Sequence, residues 1–510
     1  MSNQTSDNNK RIARNTLLLY IRMLFNLLIT LYTSRVILQA LGVEDMGIYN
    51  VVGGIVTISQ VFTSSISNAI SRFLTFELGT GNTENLKRTF SISVTVLIIL
   101  SIIIFVVAEF GGLYFIDNIL NISDNRLSSA RYVLFFSTAT FCTNIISVPY
   151  NASIISHEKM DVFAYVGIFE VVMKLVVAFL IMMFANIDRL TLYAILLFGV
   201  SLLIRIFYGI YCGRIFEECN YSFILDRKIF KELLGFASWN FLENLANVFK
   251  SQGVTMLVNI FFGAAINAAQ AIANQVSNAI QQFSNNFITA VSPQIIKLYA
   301  EEKYSEMLKL TNRASRFSFY ITMLLAFPIV CNISLILKLW LRNVPDYTDS
   351  FILLIILWIL FEVISQPVLK VIIATGKIKL YQIGISCIMF SNFPLSYIAL
   401  KMGYGPNSIY TISAFTCFGA LVYRIVTLKV LLPFVNIFSF CKQLLLKPFI
   451  IFLVAYAIYV TSYNHASYLL LSIIGEIILL LTIIFYGMNI NERTFVLNIL
   501  IVRFKNTSKK

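Results

Sequence analysis

The sequence contains little of the chemistry from which active sites are built. Only two of its 510 residues are histidines, His157 and His465, and both lie at predicted loop ends, so they cannot assemble a Ser/His/Asp triad or a metal centre. The seven cysteines are scattered without paired spacing, which argues against a disulfide framework. No segment matches the phosphate-binding pattern Gly-x4-Gly-Lys-Ser/Thr, and no external loop is long enough to form a domain. We therefore expect no catalytic residue, metal or cofactor, and we expect that the protein is not an enzyme.

Charge is also scarce, at 13% of residues, whereas 58% are hydrophobic and the mean hydropathy is +0.80. These values exclude a set of soluble domains. We count about fourteen apolar runs, each long enough to cross roughly 30 Å of hydrocarbon. The runs lie near 13–40, 46–77, 90–115, 130–155, 161–184, 190–212, 235–262, 266–298, 314–340, 349–373, 379–400, 407–431, 447–463 and 467–488. The predicted fold class is an all-α integral membrane protein with about 14 transmembrane helices.

The net charge of +14 is distributed as a membrane topology signal and does not indicate nucleic-acid binding. Basic residues concentrate in alternate connections between the runs, beginning with Lys10, Arg11 and Arg14 and ending in the basic C-terminal tail. This alternation is the positive-inside pattern. It predicts a multi-pass protein of the bacterial cytoplasmic (inner) membrane with both termini in the cytoplasm.

The second half of the chain repeats the first. Ile146-Ser147-Val148-Pro149 returns about 218 residues later as Ile364-Ser365-Gln366-Pro367, and Glu84 and Lys87 return as Glu306 and Lys309. Because the motifs recur on the same predicted side of the membrane, this is a parallel repeat, and such repeats place a transport pathway between two halves. We predict two pseudo-symmetric six-helix lobes at 1–213 and 235–431, a cytoplasmic linker at 214–234, and two additional helices with a basic tail at 432–510.

Polar side chains form narrow stripes on the paired helices of the two lobes. Such faces avoid lipid, because an unpaired amide in hydrocarbon costs several kcal/mol. The alternative is that they only hydrogen-bond neighbouring helices together. We favour a hydrated cavity between the lobes, whose amides both donate and accept hydrogen bonds and therefore suit sugars. The predicted substrate-binding residues are Arg22, Asn26, Asn68, Asn240, Asn244, Asn247, Lys250, Asn274, Asn278 and Gln281.

Charged residues inside the apolar runs are functional candidates by default. Arg22 has no acid nearby on its own helix, so we assign it to an anionic group such as phosphate, with pairing to an acid on another helix as the alternative. When the second lobe is aligned about 225 residues after the first, Arg22 corresponds to Asn247. Glu170, Glu243 and Glu362 are the candidates for coupling to a cation, H⁺ or Na⁺. Glu170 could instead neutralise Lys174, four residues later on the same helical face, and Glu243 could pair with Lys250.

Short motifs near the N-terminus resemble a known family. Arg35, Leu41-Gly42 and Gly47-Ile48-Tyr49 are similar to the start of Wzx-type polysaccharide flippases, members of the MOP (MATE-like) exporter superfamily. The repeated proline motifs and the fourteen-helix plan fit the same group. The resemblance implies two six-helix bundles facing a central cavity, with alternating access. It also implies an undecaprenyl-diphosphate-linked oligosaccharide as substrate. Arginines in the cavity of related flippases engage the diphosphate; Arg22 has a comparable position, and Lys250 or Asn247 would replace a second-lobe arginine.

We therefore predict a flippase that moves a lipid-linked oligosaccharide from the cytoplasmic to the periplasmic leaflet for surface polysaccharide biosynthesis, such as that of the O-antigen of lipopolysaccharide. Membrane lipids surround it, and a glycan polymerase or glycosyltransferases are possible partners. One alternative is a MATE-type multidrug/cation antiporter, which would need an acidic, aromatic-lined cavity. Another is a membrane polysaccharide polymerase or ligase, which the short external loops disfavour. A passive scaffold would tolerate Arg22→Ala without loss of surface glycan.

Overall fold

The computed structural model describes residues 3–57, 60–118, 123–184, 188–224, 226–340, 344–463, 468–490 and 492–494. His465 and most of the predicted basic tail lie outside these residues. Within them the regular structure is entirely helical, which confirms the predicted fold class. The helices are α1 Asn3–Thr57, α2 Gln60–Thr80, α3 Thr83–Asn118, α4 Asp124–Ser156, α5 Met160–Met183, α6 Arg189–Ile215, α7 Arg227–Ala300, α8 Tyr304–Cys331, α9 Ile333–Trp340, α10 Thr348–Ala374, α11 Lys379–Lys401, α12 Asn407–Leu431, α13 Ile437–Tyr463 and α14 Tyr468–Thr482.

Eleven of the described helices are long and apolar enough to cross a membrane. The predicted runs near 235–262 and 266–298 are not among them. Both lie in α7, whose many asparagines and glutamines lower its mean hydropathy. The run near 46–77 includes residues 58 and 59, which the structure does not describe. The polar residues of α7 therefore distinguish both of its runs from the eleven more apolar helices.

A glycine interrupts each of the two longest helices. Gly42 in α1 has φ 81° and ψ 175°, and Gly263 in α7 has φ 78° and ψ −172°. This backbone conformation is essentially restricted to glycine, so each residue ends one helix and begins another. Divided at these points, the helices follow the order of the fourteen predicted runs.

The backbone repeats along with the sequence. The left-handed positions Gly42, Gly81 and Glu158 recur at Gly263, Glu302 and Gly376, at separations of 221, 221 and 218 residues. This register corrects one alignment. Arg22 lies as far before Gly42 as Glu243 lies before Gly263, so Glu243, and not Asn247, is its counterpart. Asn247 corresponds to Asn26.

The chain divides into two compact units. The first comprises Met1–Leu245 and Thr289–Lys303, and the second comprises Ala246–Ile288 and Tyr304–Lys510. In the first unit α4 packs against α6 and α3, and α1 packs against α5. In the second unit α10 packs against α12 and α8, while α13 and α14 both pack on α8. The predicted boundaries at 213, 235 and 431, and the predicted cavity between the lobes, remain predictions.

Helix α10 is the central element of the second unit. Phe351, Ile355 and Ile359 form a buried stripe that packs against Ala269 and Ala273 of α7. The small alanines allow the two helices to approach closely. This packing fixes the orientation of α10, and with it the side chains that flank the stripe.

Candidate functional site

The second unit contains a polar cavity of about 340 Å³ between α7 and α10, which α11 and α12 complete. Its polar lining is rich in amides and contains one base and one acid. The polar and aromatic lining side chains that matter here are Asn247, Lys250, Gln270, Asn274, Gln281, Asn285, Trp358, Glu362 and Gln366. Amides, an indole ring and a cation are together suited to a polar, hydroxyl-rich ligand that carries negative charge.

The cavity gathers part of the predicted site. Asn247, Lys250, Asn274 and Gln281 line it, and so does Glu362. Asn278, on the same helix, is exposed and is not among the lining residues. Asn240 and Asn244 belong to the first unit. The predicted substrate-binding role of all these residues remains a prediction.

Lys250 is held in place by an aromatic ring and a thiol. Its Nζ lies 4.8 Å from the centroid of the Trp358 ring and donates to Sγ of Cys417 at 3.2 Å. A cation over an indole face is attracted by the ring quadrupole, most strongly where water is excluded. Trp358 was not predicted as a site residue, because one tryptophan in an apolar run is indistinguishable from lipid-facing bulk by sequence.

Glu362 forms the centre of a buried polar network. Its Oε1 lies 3.3 Å from a terminal guanidinium nitrogen of Arg424 and also accepts a hydrogen bond from Gln366. Arg424 is 2% exposed, donates to the Tyr381 hydroxyl at 3.0 Å, and donates to Ser365 Oγ. Glu362 is half-buried, at 18% exposed, and the Arg424 guanidinium already balances its charge. This lowers its value as a cation carrier.

Arg424 is not among the residues predicted from the sequence, which proposed Lys250 or Asn247 in place of an arginine in the second lobe. The signal was the one arginine in the apolar run near 407–431, Arg424, and the acid in the middle of the run near 349–373, Glu362. Nothing in the spacing showed that these runs pack together. The contact between α10 and α12 supplies that information.

Arg22, the main predicted phosphate ligand, lies in the first unit against α5. Its guanidinium carbon is 4.2 Å from the centroid of the Phe163 ring. A Cβ on Gly167 would lie only 2.1 Å from Nε, so glycine makes room for the guanidinium. Within the described residues Nε has no hydrogen-bond partner and no carboxylate forms an ion pair with Arg22. A direct ion pair with an acid from another helix is therefore not observed among the described residues, although Glu170 of α5 interacts electrostatically with Arg22.

In each repeat an arginine contacts the same aromatic position, but the two arginines come from different helices. Phe163 and Tyr381 are sequence-repeat equivalents, 218 residues apart. Phe163 contacts Arg22 of α1, whereas Tyr381 accepts a hydrogen bond from Arg424 of α12. Only the second arginine has a carboxylate partner within the described residues.

The remaining predicted residues of the first unit differ in their surroundings. Asn26 is half-buried, and its side-chain oxygen lacks a hydrogen-bond partner among the described residues. Asn68 is exposed, and Asn240 is buried. Asn244 donates to Ser65 Oγ at 2.7 Å and to Ser64 Oγ at 3.2 Å, so it joins α7 to α2 as the alternative interpretation expected.

Glu170 is neutralised on its own helix. Lys174 Nζ lies 2.6 Å from its Oε1, in an i,i+4 pair that is partly exposed. The simpler interpretation of Glu170 is confirmed by this pair. Of the three predicted coupling acids, Glu170 and Glu362 have basic partners, and Glu243 takes the repeat position of Arg22.

A buried acid that the sequence did not single out lies between α4 and α5. Glu158, whose side chain is 1% exposed, pairs with Arg11 at 2.8 Å and Lys297 at 3.1 Å, and Gln294 donates to it at 3.1 Å. Its partners are more than a hundred residues away in the chain, so no local pattern indicates the cluster. Within the first unit it fixes the start of α1 to the last turns of α7.

At the other end of α4, Asp188 caps the first turn of α6. It accepts hydrogen bonds from the Thr191 backbone N–H at 3.0 Å and hydroxyl at 2.6 Å, and Arg126 lies 2.7 Å away. Burial alone would raise the pKa of Asp188, but the two bonds from Thr191 and the Arg126 charge outweigh it and hold the pKa below its ordinary value.

Comparisons with known proteins identify the fold and the family. The family described as "Polysaccharide biosynthesis protein" matches residues 11–299. A MATE transporter in a bent conformation superposes with a TM-score of 0.73 at 12% identity, covering 86% of this chain and 97% of its own. An outward-facing MATE multidrug transporter of the MOP superfamily gives 0.70 at 13%, covering 83% and 97%. No curated protein matches the sequence.

A third solved structure is a MOP superfamily transporter from Pyrococcus furiosus, described as having a binding pocket of reversed polarity that suggests a different function. It gives a TM-score of 0.68 at 13% identity and covers 86% of this chain and 96% of its own. At such low identities these similarities establish the fold alone. The chain has the architecture of MOP superfamily transporters.

Proposed function

The chain belongs to the polysaccharide biosynthesis protein family, and on that premise we propose that it is a flippase for an undecaprenyl-diphosphate-linked oligosaccharide. The substrate moves by alternating access from the cytoplasmic to the periplasmic leaflet of the bacterial inner membrane. Both termini face the cytoplasm. The glycosyltransferases that build the oligosaccharide and a polymerase that extends it act before and after this step.

The amide-rich cavity of the second unit carries the proposal. Asn247, before Gly263, and Asn274 and Gln281, after it, present donors and acceptors to the cavity, which is what a ligand with many hydroxyl groups requires. Trp358 adds a flat apolar face, and Lys250 adds a positive charge. We assign the sugar to the amides and the indole ring.

Arg22 is the proposed partner of the diphosphate. A guanidinium presents several donors in a fixed plane and binds phosphate oxygens in pairs. The absence of a carboxylate partner within the described residues leaves these donors available. Lys250 is the second candidate, because it lines a cavity whose one acid is already paired with Arg424.

The same balance of charge disfavours a multidrug/cation antiporter. A cationic drug needs an acid that is not neutralised, and in the described part of this cavity the one carboxylate has an arginine partner while a lysine lies on the same surface. Coupling to H⁺ or Na⁺ is proposed through Glu170, Glu243 or Glu362. Glu362 can contribute only if its bond to Arg424 breaks during the cycle.

Complementation tests the function. A strain lacking this gene is expected to lose its surface glycan, to accumulate lipid-linked oligosaccharide on the cytoplasmic side, and to keep normal drug resistance. Wild-type protein restores the glycan. Arg22→Ala and Lys250→Ala do not, at unchanged protein level, whereas Arg22→Lys restores part of it. Lys174→Ala, which alters an exposed ion pair, is the matched control and restores it fully. Normal glycan in the deletion strain, or drug sensitivity with normal glycan, contradicts the proposal.

A further inference from the structure

Four basic side chains gather around one carboxylate in the second unit, where the chain leaves α14 and contacts α8 and α13. Arg316 of α8 is 6% exposed, and its Nη2 lies 3.0 Å from Oε1 of Glu492. Arg313, also on α8, interacts electrostatically with both of these residues, and so does Lys447 of α13. Arg493 lies within electrostatic reach of Lys447. These four side chains form the basic cluster: Arg313, Arg316, Lys447 and Arg493.

The backbone after α14 offsets only part of this positive charge. The short helical turn Ile483–Gly487 ends at the cluster, and Arg316 and Lys447 each donate to its last carbonyl at 3.2 Å. Arg493 donates to two other carbonyls of the turn, at 3.1 and 2.5 Å. The carbonyl end of a helix is equivalent to about half a negative charge, and Glu492 adds one more. The four bases therefore exceed the negative charge of this site by roughly two charges.

Donors in the basic cluster remain unused by the residues that the structure describes. Arg313 is half-buried and forms no hydrogen bond or direct ion pair with them. Nε of Arg316 is buried and has no hydrogen-bond partner among them. No Asp or Glu follows Glu492 in the sequence, so the basic tail cannot supply an acidic side chain. Because buried guanidinium donors are costly without an acceptor, these observations point to an external anion.

The helical repeat does not require these charges. The glutamate–lysine motif at the start of α3 returns in α8 after 222 residues, and at this separation Ser91 and Val94 correspond to Arg313 and Arg316. Both residues of α3 are neutral and buried. The two arginines are therefore specific to α8, the helix on which α13 and α14 pack.

We propose that the basic cluster binds the phosphate group of an anionic phospholipid, such as phosphatidylglycerol. A guanidinium binds phosphate oxygens in pairs, and basic pockets between transmembrane helices on the cytoplasmic side bind anionic head groups. The positive-inside pattern assigns this end of α8 to the cytoplasm. The inference does not depend on which substrate the protein transports.

Apolar neighbours favour a lipid over free phosphate, which has the same phosphate chemistry. Phe485 is 63% exposed, and its ring centroid lies 5.2 Å from the Arg493 guanidinium. Ile490, between the turn and Arg493, is 75% exposed. A phospholipid can place its phosphate on the cluster and its acyl chains against these exposed side chains, whereas free phosphate gains nothing from them. A bound head group would also join α8 to α13 and to the segment after α14, so it should stabilise the folded protein.

Native mass spectrometry and thermal unfolding of the full-length protein test the site. The protein is purified in detergent, delipidated, and titrated with dioleoyl phosphatidylglycerol, dioleoyl phosphatidylcholine or inorganic phosphate. We expect phosphatidylglycerol to bind more tightly than phosphatidylcholine and to raise the unfolding temperature, and we expect inorganic phosphate at the same concentration to do neither. Arg313→Gln removes a charged donor and should weaken phosphatidylglycerol binding about tenfold, whereas Arg313→Lys keeps part of the affinity.

The controls separate this site from diffuse charge and from folding. Lys309→Gln, exposed one turn before Arg313 and outside the cluster, should leave phosphatidylglycerol binding unchanged. Because Arg313 forms no hydrogen bond or ion pair with the described residues, lipid-free Arg313→Gln should unfold at the wild-type temperature or above it.

Several results would overturn the proposal. These are equal affinity for the two phospholipids, equal phosphatidylglycerol binding by Arg313→Gln and wild type, and an equal loss of binding in Lys309→Gln. Inorganic phosphate that binds and stabilises as well as phosphatidylglycerol would assign the cluster to a soluble anion. A lower unfolding temperature of lipid-free Arg313→Gln would give Arg313 a structural role in place of a ligand-binding one.

Discussion

Removal of the Glu362 carboxylate is the sharpest test of the network in the second unit. In Glu362→Ala, Arg424 keeps its hydrogen bonds to Tyr381 and Ser365 but loses the Glu362 carboxylate. Because Arg424 is 2% exposed, its positive charge stays buried after this loss. Breaking a buried pair in this way costs about 3 to 5 kcal/mol.

A double-mutant cycle isolates this interaction. Arg424→Met fills a similar volume without charge, and replacing both members of a buried pair with apolar residues is often neutral. We therefore expect Glu362→Ala to lower the thermal unfolding temperature of the purified protein clearly, and the double variant to recover most of the loss. The exposed pair of Glu84 and Arg88 in the first turns of α3 is the control, and its removal should cost only about 0.5 kcal/mol.

Two results would refute the reasoning. Equal losses for Glu362→Ala and Glu84→Ala would show that burial does not govern the strength of these pairs. Additive losses in the double variant would show that Arg424 does not depend on Glu362. Export adds a second readout: a double variant that is stable but inactive would give Glu362 a role in transport beyond stability.

Three further predictions concern the first unit. Gly167→Ala displaces the Arg22 guanidinium, so export should fall while Gly199→Ala, which meets no neighbouring atom, leaves it unchanged. Glu158→Gln leaves Arg11 and Lys297 facing a neutral group, and limited proteolysis should cut the start of α1 faster than in Glu84→Gln, whose exposed pair with Arg88 is the control. Asp188→Asn keeps a capping oxygen but loses the charge that Arg126 contacts, and it should cost about 1 kcal/mol at neutral pH. Since the pKa of Asp188 is lowered in the folded protein, this contribution is present above its ordinary pKa of 3.8 and is lost as the pH falls through the lower folded value, so the difference from wild type should shrink in acid.

Much of the fold could be predicted from the sequence, because apolar runs and repeated motifs are visible without knowledge of tertiary contacts. Gly42 and Gly263 begin the second helix of each half as the repeat requires. The amide face of α7 could be predicted because the sequence alone shows which polar residues share one face of a helix. Arg424 and Glu158 were missed because their significance lies in contacts between distant segments. Trp358 was missed for a different reason: its role depends on which side of α10 faces a cavity, and hydropathy does not distinguish the sides of an apolar helix.

The glycines that divide α1 and α7 also indicate what the duplication preserved. A side chain at Gly42 or Gly263 would meet no atom within 4 Å, so space does not require glycine at either place. Chirality does: an L-residue at these dihedral angles costs about 1 to 3 kcal/mol, whereas a D-alanine would fit both the angles and the space. Arg22 and Glu243, twenty residues earlier in each copy, have meanwhile diverged to opposite charge. Both halves thus retain the left-handed backbone conformation of one glycine, whereas the charged residue twenty positions before it is basic in one half and acidic in the other.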